Sequence, residues 1–219
     1  MPIFDKTARM YRISSVLFAS LIALCSISAF GQKLSSFGID TTQTVPEGLA
    51  VNSYAPLFNL SDSDGNDVDF GMKLKQSKMV VVFVRGQWSR HCRKYVERLQ
   101  DSLAVISNTS TQVVVVSPEK RDFLARWNKA ASPDLRIVSD QYGQVARDYN
   151  LAYKLTSAFN RRIRVFRGVN LETRNGNDQN ELPVTAVYVV SQSGKITYRY
   201  FNYDYRQRPP VSELVEALK

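Results

Sequence analysis

The sequence predicts an α/β domain built on an open β-sheet, and three observations carry that prediction. Apolar, β-branched runs at residues 79–84, 112–116 and 135–138 are too short for typical helices and read as buried strands. Each is followed by a helical pattern, and strand–helix alternation implies parallel pairing. Ahead of them, Phe58 and Leu60 alternate into the turn Asp62-Ser63-Asp64-Gly65, and Val68 and Phe70 alternate out of it, which is an N-terminal β-hairpin by its turn chemistry.

The run at 79–84 and the helix after it organise the chain. Val96, Leu99, Leu103 and Ile106 recur at steps of three and four, and one turn back on the same stripe stands Cys92. Ser89, three residues earlier, is placed as N-cap, with its hydroxyl expected to accept from the Cys92 N–H. The positive end of a helix and the nearby Arg85, Arg90 and Arg93 favour a thiolate. The alternative is a small cysteine filling core space.

Further along, Ser117-Pro118-Glu119 reads as an N-cap, a proline at the first helical position and an acidic first turn, with Phe123, Leu124 and Trp127 on one face. Residues 140–149, with Val145 and Tyr149 four apart, form another helix. Residues 152–182 are the least regular, and Arg161, Arg162, Arg164 and Arg167 within them read as a solvated basic face rather than an anion site. Pro183 opens a strand over residues 184–190, where the missing N–H is tolerated. Ser193-Gly194 turns it into a partner at 196–201, and a helix over 211–218 closes the chain.

The N-terminus carries Lys6, Arg9 and Arg12, an apolar core over residues 13–27 and the small-x-small site Ala29-Phe30-Gly31. Residues 1–31 are therefore expected to be a secretory signal peptide, 32–53 an exported linker and 54–219 the domain. Cleavage would leave Cys92 as the sole cysteine, so no disulfide can form within the chain. Cys25 hints at lipidation, but Leu24 before it is bulky for that site, so membrane attachment is expected only from an uncleaved or lipidated signal. The expected location is the bacterial periplasm or the exterior.

A net charge of +9 is scattered and accompanied by no nucleic-acid motif, which argues against nucleic acid as a partner. One histidine and one mature cysteine cannot make a structural zinc site, and the glycine among Asp62–Asp69 comes too early for a calcium loop. No metal or other cofactor is expected.

The segment Arg85-Gly86-Gln87-Trp88-Ser89-Arg90-His91-Cys92 resembles the thioredoxin-like redoxins of the alkyl hydroperoxide reductase/thiol-specific antioxidant (AhpC/TSA) family. It is most similar to a peroxiredoxin-like branch with an Arg-Gly-x-Trp-Cys-x-x-Cys loop, with Ser89 where the first cysteine would stand. Ser89 to Cys92 also fits the second half of the Pro-x-x-x-Thr/Ser-x-x-Cys pattern of peroxiredoxins proper, with Arg85 in place of the proline. Ala55-Pro56-Leu57-Phe58 and the Asp-Tyr-x-x-Arg segment Asp204 to Arg208 extend the resemblance over residues 55–218.

The resemblance implies a thioredoxin-like fold with a central mixed β-sheet flanked by helices. It implies a cis Leu182–Pro183 bond packed against the redox loop, and an excursion over 152–182 that leaves substrate gating open. Peroxiredoxins proper carry an arginine near this point to hold the thiolate, and here Leu182 and Val184 offer none, which weakens the peroxidase assignment. The implied catalytic residues are Cys92 as peroxidatic thiol, Ser89 hydrogen-bonding the thiolate or peroxide, and Arg85 supplying positive charge. Trp88 over the loop, His91 beside the helix start and Pro183 complete the implied substrate-binding set. The implied partners are a small peroxide or a protein disulfide, and an external thiol reductant such as a thioredoxin-like protein, since no second cysteine can resolve a sulfenic acid. Thiol–disulfide exchange by the lone cysteine and a catalytically degenerate binding scaffold are the alternatives.

Overall fold

The computed structural model describes residues 33–130, 134–176 and 178–219, so the expected signal peptide lies outside the described residues. No helix among those described is long and apolar enough to cross a membrane.

A five-stranded mixed sheet forms the centre. It comprises β3 (Lys78–Phe83), β4 (Thr111–Ser117), β5 (Leu135–Ser139), β8 (Thr185–Val190) and β9 (Ile196–Asn202), in the order β5-β4-β3-β8-β9. β3, β4 and β5 are parallel, while β8 is antiparallel to β3 and β9 to β8. The hairpin β1 (Asn59–Ser61) and β2 (Asp67–Asp69) precedes this sheet, and a small antiparallel pair, β6 (Ala152–Lys154) and β7 (Glu181–Pro183), lies beside it.

Strand alternation divides the core in two. Met79, Val81 and Phe83 of β3 join Val114, Val116 and Tyr188 on one face, whereas Val80, Val82 and Val84 join Val113, Val115 and Val187 on the other. The second face is covered by α2 (Arg90–Asp101), α3 (Leu103–Ser107) and α8 (Val211–Ala217), which bury Tyr95, Val96, Leu99, Ile106 and Leu214. The expected stripe from Cys92 to Ile106 faces inward, but the helix breaks at Ser102.

The first face is covered by α1 (Phe70–Gln76), α5 (Gln144–Asp148), α6 (Ser157–Arg167) and α7 (Leu171–Asn175), whereas α4 (Arg121–Leu124) and the 3-10 turn after it, which lead from β4 towards β5, add Leu124 and Trp127 to the second face. Residues 33–53, expected as a linker, pack against this face. Leu34 and Ile39 are buried, Ile39 bridges to Leu155, and the Leu49 N–H donates to the Tyr188 hydroxyl at 3.1 Å.

Two further expectations change. The stretch over 152–182 is not irregular: Thr156 caps α6 by accepting from the Phe159 N–H, and Gly168 ends it in the left-handed conformation. The Leu182–Pro183 bond is trans, and Pro183 is buried as the last residue of β7, paired with Ala152. Its missing N–H falls at the end of this short ladder, where the next donor, Val184 N–H, bonds to Leu151 O.

Asp140, after β5, accepts from the Val145 and Ala146 N–H groups at 3.0 and 2.8 Å and so tethers α5. Burial pushes its carboxyl up from 3.8 to about 6, against those two hydrogen bonds. A carboxyl that holds its proton more tightly when folded contributes stability below its unfolded value and loses it as pH rises through the folded one. Asp140→Asn is expected to remove that slope, gaining roughly 2–3 kcal/mol relative to the parent between pH 4 and 7 in urea unfolding.

Candidate active site

The loop between β3 and α2 is held from beneath by a buried carboxylate. The Glu119 side chain is fully buried, accepts from the Gln87 N–H at 2.6 Å and pairs with Arg174 at 2.7 Å. Its other contacts are the Trp127 indole N–H at 3.5 Å and the Ser117 hydroxyl at 3.3 Å. The expected helix start at Ser117-Pro118-Glu119 is thereby corrected: α4 begins at Arg121, because the Glu119 carboxylate turns inward to the loop. Arg93 adds a second tie, donating to Gln87 O at 2.6 Å.

Gly86 turns the chain with φ +124°, and a Cβ there would lie 2.6 Å from the Trp88 Nε1 and 2.9 Å from the Glu119 Cδ. Gly86→Ala is expected to destabilise the protein by about 1–3 kcal/mol, read as a lower urea midpoint, because strain and steric conflict fall on the same residue.

Cys92 occupies the first turn of α2 with its sulfur facing the sheet, 0 % exposed. Two donors point at that sulfur. The Arg85 backbone N–H reaches it at 3.4 Å, and the Arg208 Nη2 at 3.3 Å. Arg208 also donates to Tyr205 O at 2.7 Å and Gln207 O at 2.6 Å, so its guanidinium is fixed on the segment after β9. Asp204, the acid of that segment, is engaged by Arg206 at 2.7 Å.

At the loop between β3 and α2 opens a cleft of about 330 Å³ lined by Arg85, Trp88, Ser89, Arg90 and His91, with Phe159, Arg162, Ile163, Phe166 and Arg167 from α6 and Tyr205 from the segment after β9. Cys92 does not line the cleft. The Arg85 guanidinium lies in its floor, 4.1 Å from the centre of the Tyr205 ring and 5.4 Å from those of Trp88 and Phe159. His91 meets Tyr205 edge-on, and partial burial with Arg208 and Arg206 nearby pushes it below its usual value.

Of the residues singled out from the sequence, Arg85, Trp88, Ser89 and His91 meet at this cleft, and Cys92 does not reach it. Pro183 is absent from its wall, since pairing with β6 commits it to the small sheet. Ser89 stands at the N-cap of α2 with extended backbone, but its side chain makes no capping hydrogen bond; its carbonyl accepts from Arg93 N–H instead. The charge on Arg85 is carried by a side chain among aromatic rings, and it is the Arg85 main chain that meets the sulfur.

Sequence reading missed Arg208, Glu119, Phe159 and the role of Tyr205. Leu182 and Val184 offer no arginine beside Pro183; the arginine on the sulfur comes from 116 residues beyond Cys92, in the Asp-Tyr-x-x-Arg segment. That motif was the available signal.

The AhpC/TSA family model matches residues 51–199. A Mycobacterium tuberculosis protein named as a candidate peroxiredoxin is 24% identical over 154 residues, covering 70% of this chain and 86% of its own. Among solved structures, the peroxidoxin BcpB of Mycobacterium tuberculosis superposes with a TM-score of 0.59 at 15% identity, over 78% of this chain and 96% of its own. A peroxiredoxin-like protein of Aquifex aeolicus gives 0.60 at 16% identity, over 80% and 88%. At such identities these structures establish the thioredoxin-like fold alone.

Proposed function

The chain belongs to the AhpC/TSA family of peroxiredoxin-like thiol oxidoreductases, and from that premise we propose that it reduces peroxides in a one-cysteine cycle at Cys92. The observation that carries this reading is the convergence of the Arg208 guanidinium and the Arg85 N–H on one sulfur. The two donors fixed on the sulfur remain in place for charge developing on a bound peroxide as the sulfur attacks.

In the cycle, the Cys92 thiolate attacks one peroxide oxygen. An S–O bond forms, the O–O bond breaks, and the departing alkoxide or hydroxide takes a proton from water. The peroxide is reduced by two electrons and Cys92 becomes a sulfenic acid. An external thiol then attacks that sulfur, releasing water and leaving a mixed disulfide, and a second thiol frees Cys92. Ser89 cannot perform the second attack from within, which makes the reductant external. We place the mature protein outside the cytoplasm on the basic and apolar pattern of its first 31 residues.

A binding scaffold is the second reading, favoured by the complete burial of the sulfur and its absence from the cleft wall. Peroxide consumption separates the two. The reduced protein alone is expected to consume one equivalent of hydrogen peroxide and stop, then to continue when dithiothreitol is supplied. Consumption no faster than dithiothreitol alone would establish the scaffold.

A further inference from the structure

Arg85 does more than the proposed cycle requires of it. Its side chain is 1 % exposed, yet its Nε and Nη2 nitrogens have no hydrogen-bond partner. Their N–H groups lie along one edge of the guanidinium, the edge whose parallel donors match the two oxygens of a carboxylate. A buried charged donor without a partner is costly, so its persistence in the floor of a cleft points to a ligand that completes it. The buried Trp88 Nε1 beside it is also without a partner.

The rest of the cleft has the same sign. Arg90, Arg162 and Arg167 stand on its walls with no acidic residue among those lining it, and the twelve-residue α2 begins there, presenting its positive end. Phe159 and Phe166 of α6 supply an apolar side, Phe166 being 77 % exposed. A cationic floor beside an exposed aromatic wall suits a molecule with one anionic end and a hydrocarbon body.

We propose that this cleft binds an amphipathic organic carboxylate, with the carboxylate on the Nε–Nη2 edge of Arg85 and the hydrocarbon against Phe159 and Phe166. Because rings of Trp88, Phe159 and Tyr205 surround that guanidinium, entry displaces one of them and changes the fluorescence of Trp88. The proposal rests on the peroxidase reading only for which reactant brings the carboxylate, the organic hydroperoxide or the external thiol; binding itself does not depend on it.

The test is a calorimetric titration of the Cys92→Ser protein, which performs no chemistry, with decanoate and with decanol. Decanoate is expected to bind about tenfold tighter or better, with a preference that shrinks as salt is added. Arg85→Met is expected to abolish the preference, and Arg162→Gln with Arg167→Gln, on the exposed face of α6, to reduce it about threefold. Equal binding of decanol, absence of saturable binding, or a preference undiminished in the double variant would overturn the proposal, and the double variant decides even where Arg85→Met fails to fold. In the wild-type protein, faster reaction with a carboxylate-bearing hydroperoxide than with cumene hydroperoxide assigns the carboxylate to the peroxide. Faster recycling by mercaptopropionate than by mercaptoethanol assigns it to the reductant. Selective decanoate binding alongside an inert Cys92 would sink the peroxidase reading alone.

Discussion

Arg208→Met is expected to slow the oxidation of Cys92 by hydrogen peroxide about 10²–10³-fold, the usual consequence of removing one preorganised donor from developing charge. The substitution keeps much of the length and apolar stem of the side chain and removes the side-chain donor that meets the sulfur among the described residues, at 3.3 Å. Arg208→Lys is expected to recover only part of the rate, because an ammonium cannot reach the sulfur while also bonding Tyr205 O and Gln207 O as the planar guanidinium does. Arg206→Met, two residues away and paired with Asp204 at the surface, is the control that leaves the rate near the parent's. Stopped-flow rates with equal urea midpoints for all three variants would show that chemistry, rather than folding, had changed. A rate indifferent to Arg208 would remove the main support for the peroxidase reading.

Glu119→Ala carries the largest expected loss of stability, about 3–5 kcal/mol, as for breaking a buried ion pair by removing one partner. Arg174, with its side chain 12 % exposed, would lose its counter-charge, and the Gln87 N–H and Trp127 indole would lose their acceptor. Glu119→Gln keeps an acceptor for Gln87 but not the charge, so an intermediate loss is expected. Urea unfolding measures both. Since the same carboxylate anchors the loop that carries Arg85, Glu119→Gln should also slow peroxide oxidation while most of the protein remains folded. Unchanged midpoints in both variants would show the network to be dispensable.

How much of this was legible in the sequence depended on distance along the chain. β3, β4 and β5 announce themselves because strands buried on both faces are continuous apolar, β-branched runs. The first turn of α2 was legible because Cys92 shares a helical stripe with Val96 and Leu99. The segment over residues 33–53 was not, because its buried apolar side chains, Leu34 and Ile39, are too few to make a period. α6 was obscured by its arginines, which face solvent and the cleft while Ile163 is buried in the core and Phe159 packs against it.

The site divides in the same way. Arg85, Trp88, Ser89 and His91 are local to Cys92 and could be found from spacing. Arg208 and the Glu119–Arg174 pair could not, since they meet the loop only after β4, α7 and β9 have been placed by the sheet. Ser89 shows the limit of a local rule: its position as N-cap was correct, but its hydroxyl makes no capping bond.

The most direct test of the central claim is the second-order rate constant for hydrogen peroxide with the reduced protein, followed through protein fluorescence, with mass spectrometry on the product and Cys92→Ser as control. The structure predicts a rate at least about 10²-fold above that of free cysteine, with one oxygen added to Cys92, given two fixed donors on the sulfur. A rate equal to that of free cysteine, or oxidation elsewhere than Cys92, would contradict it.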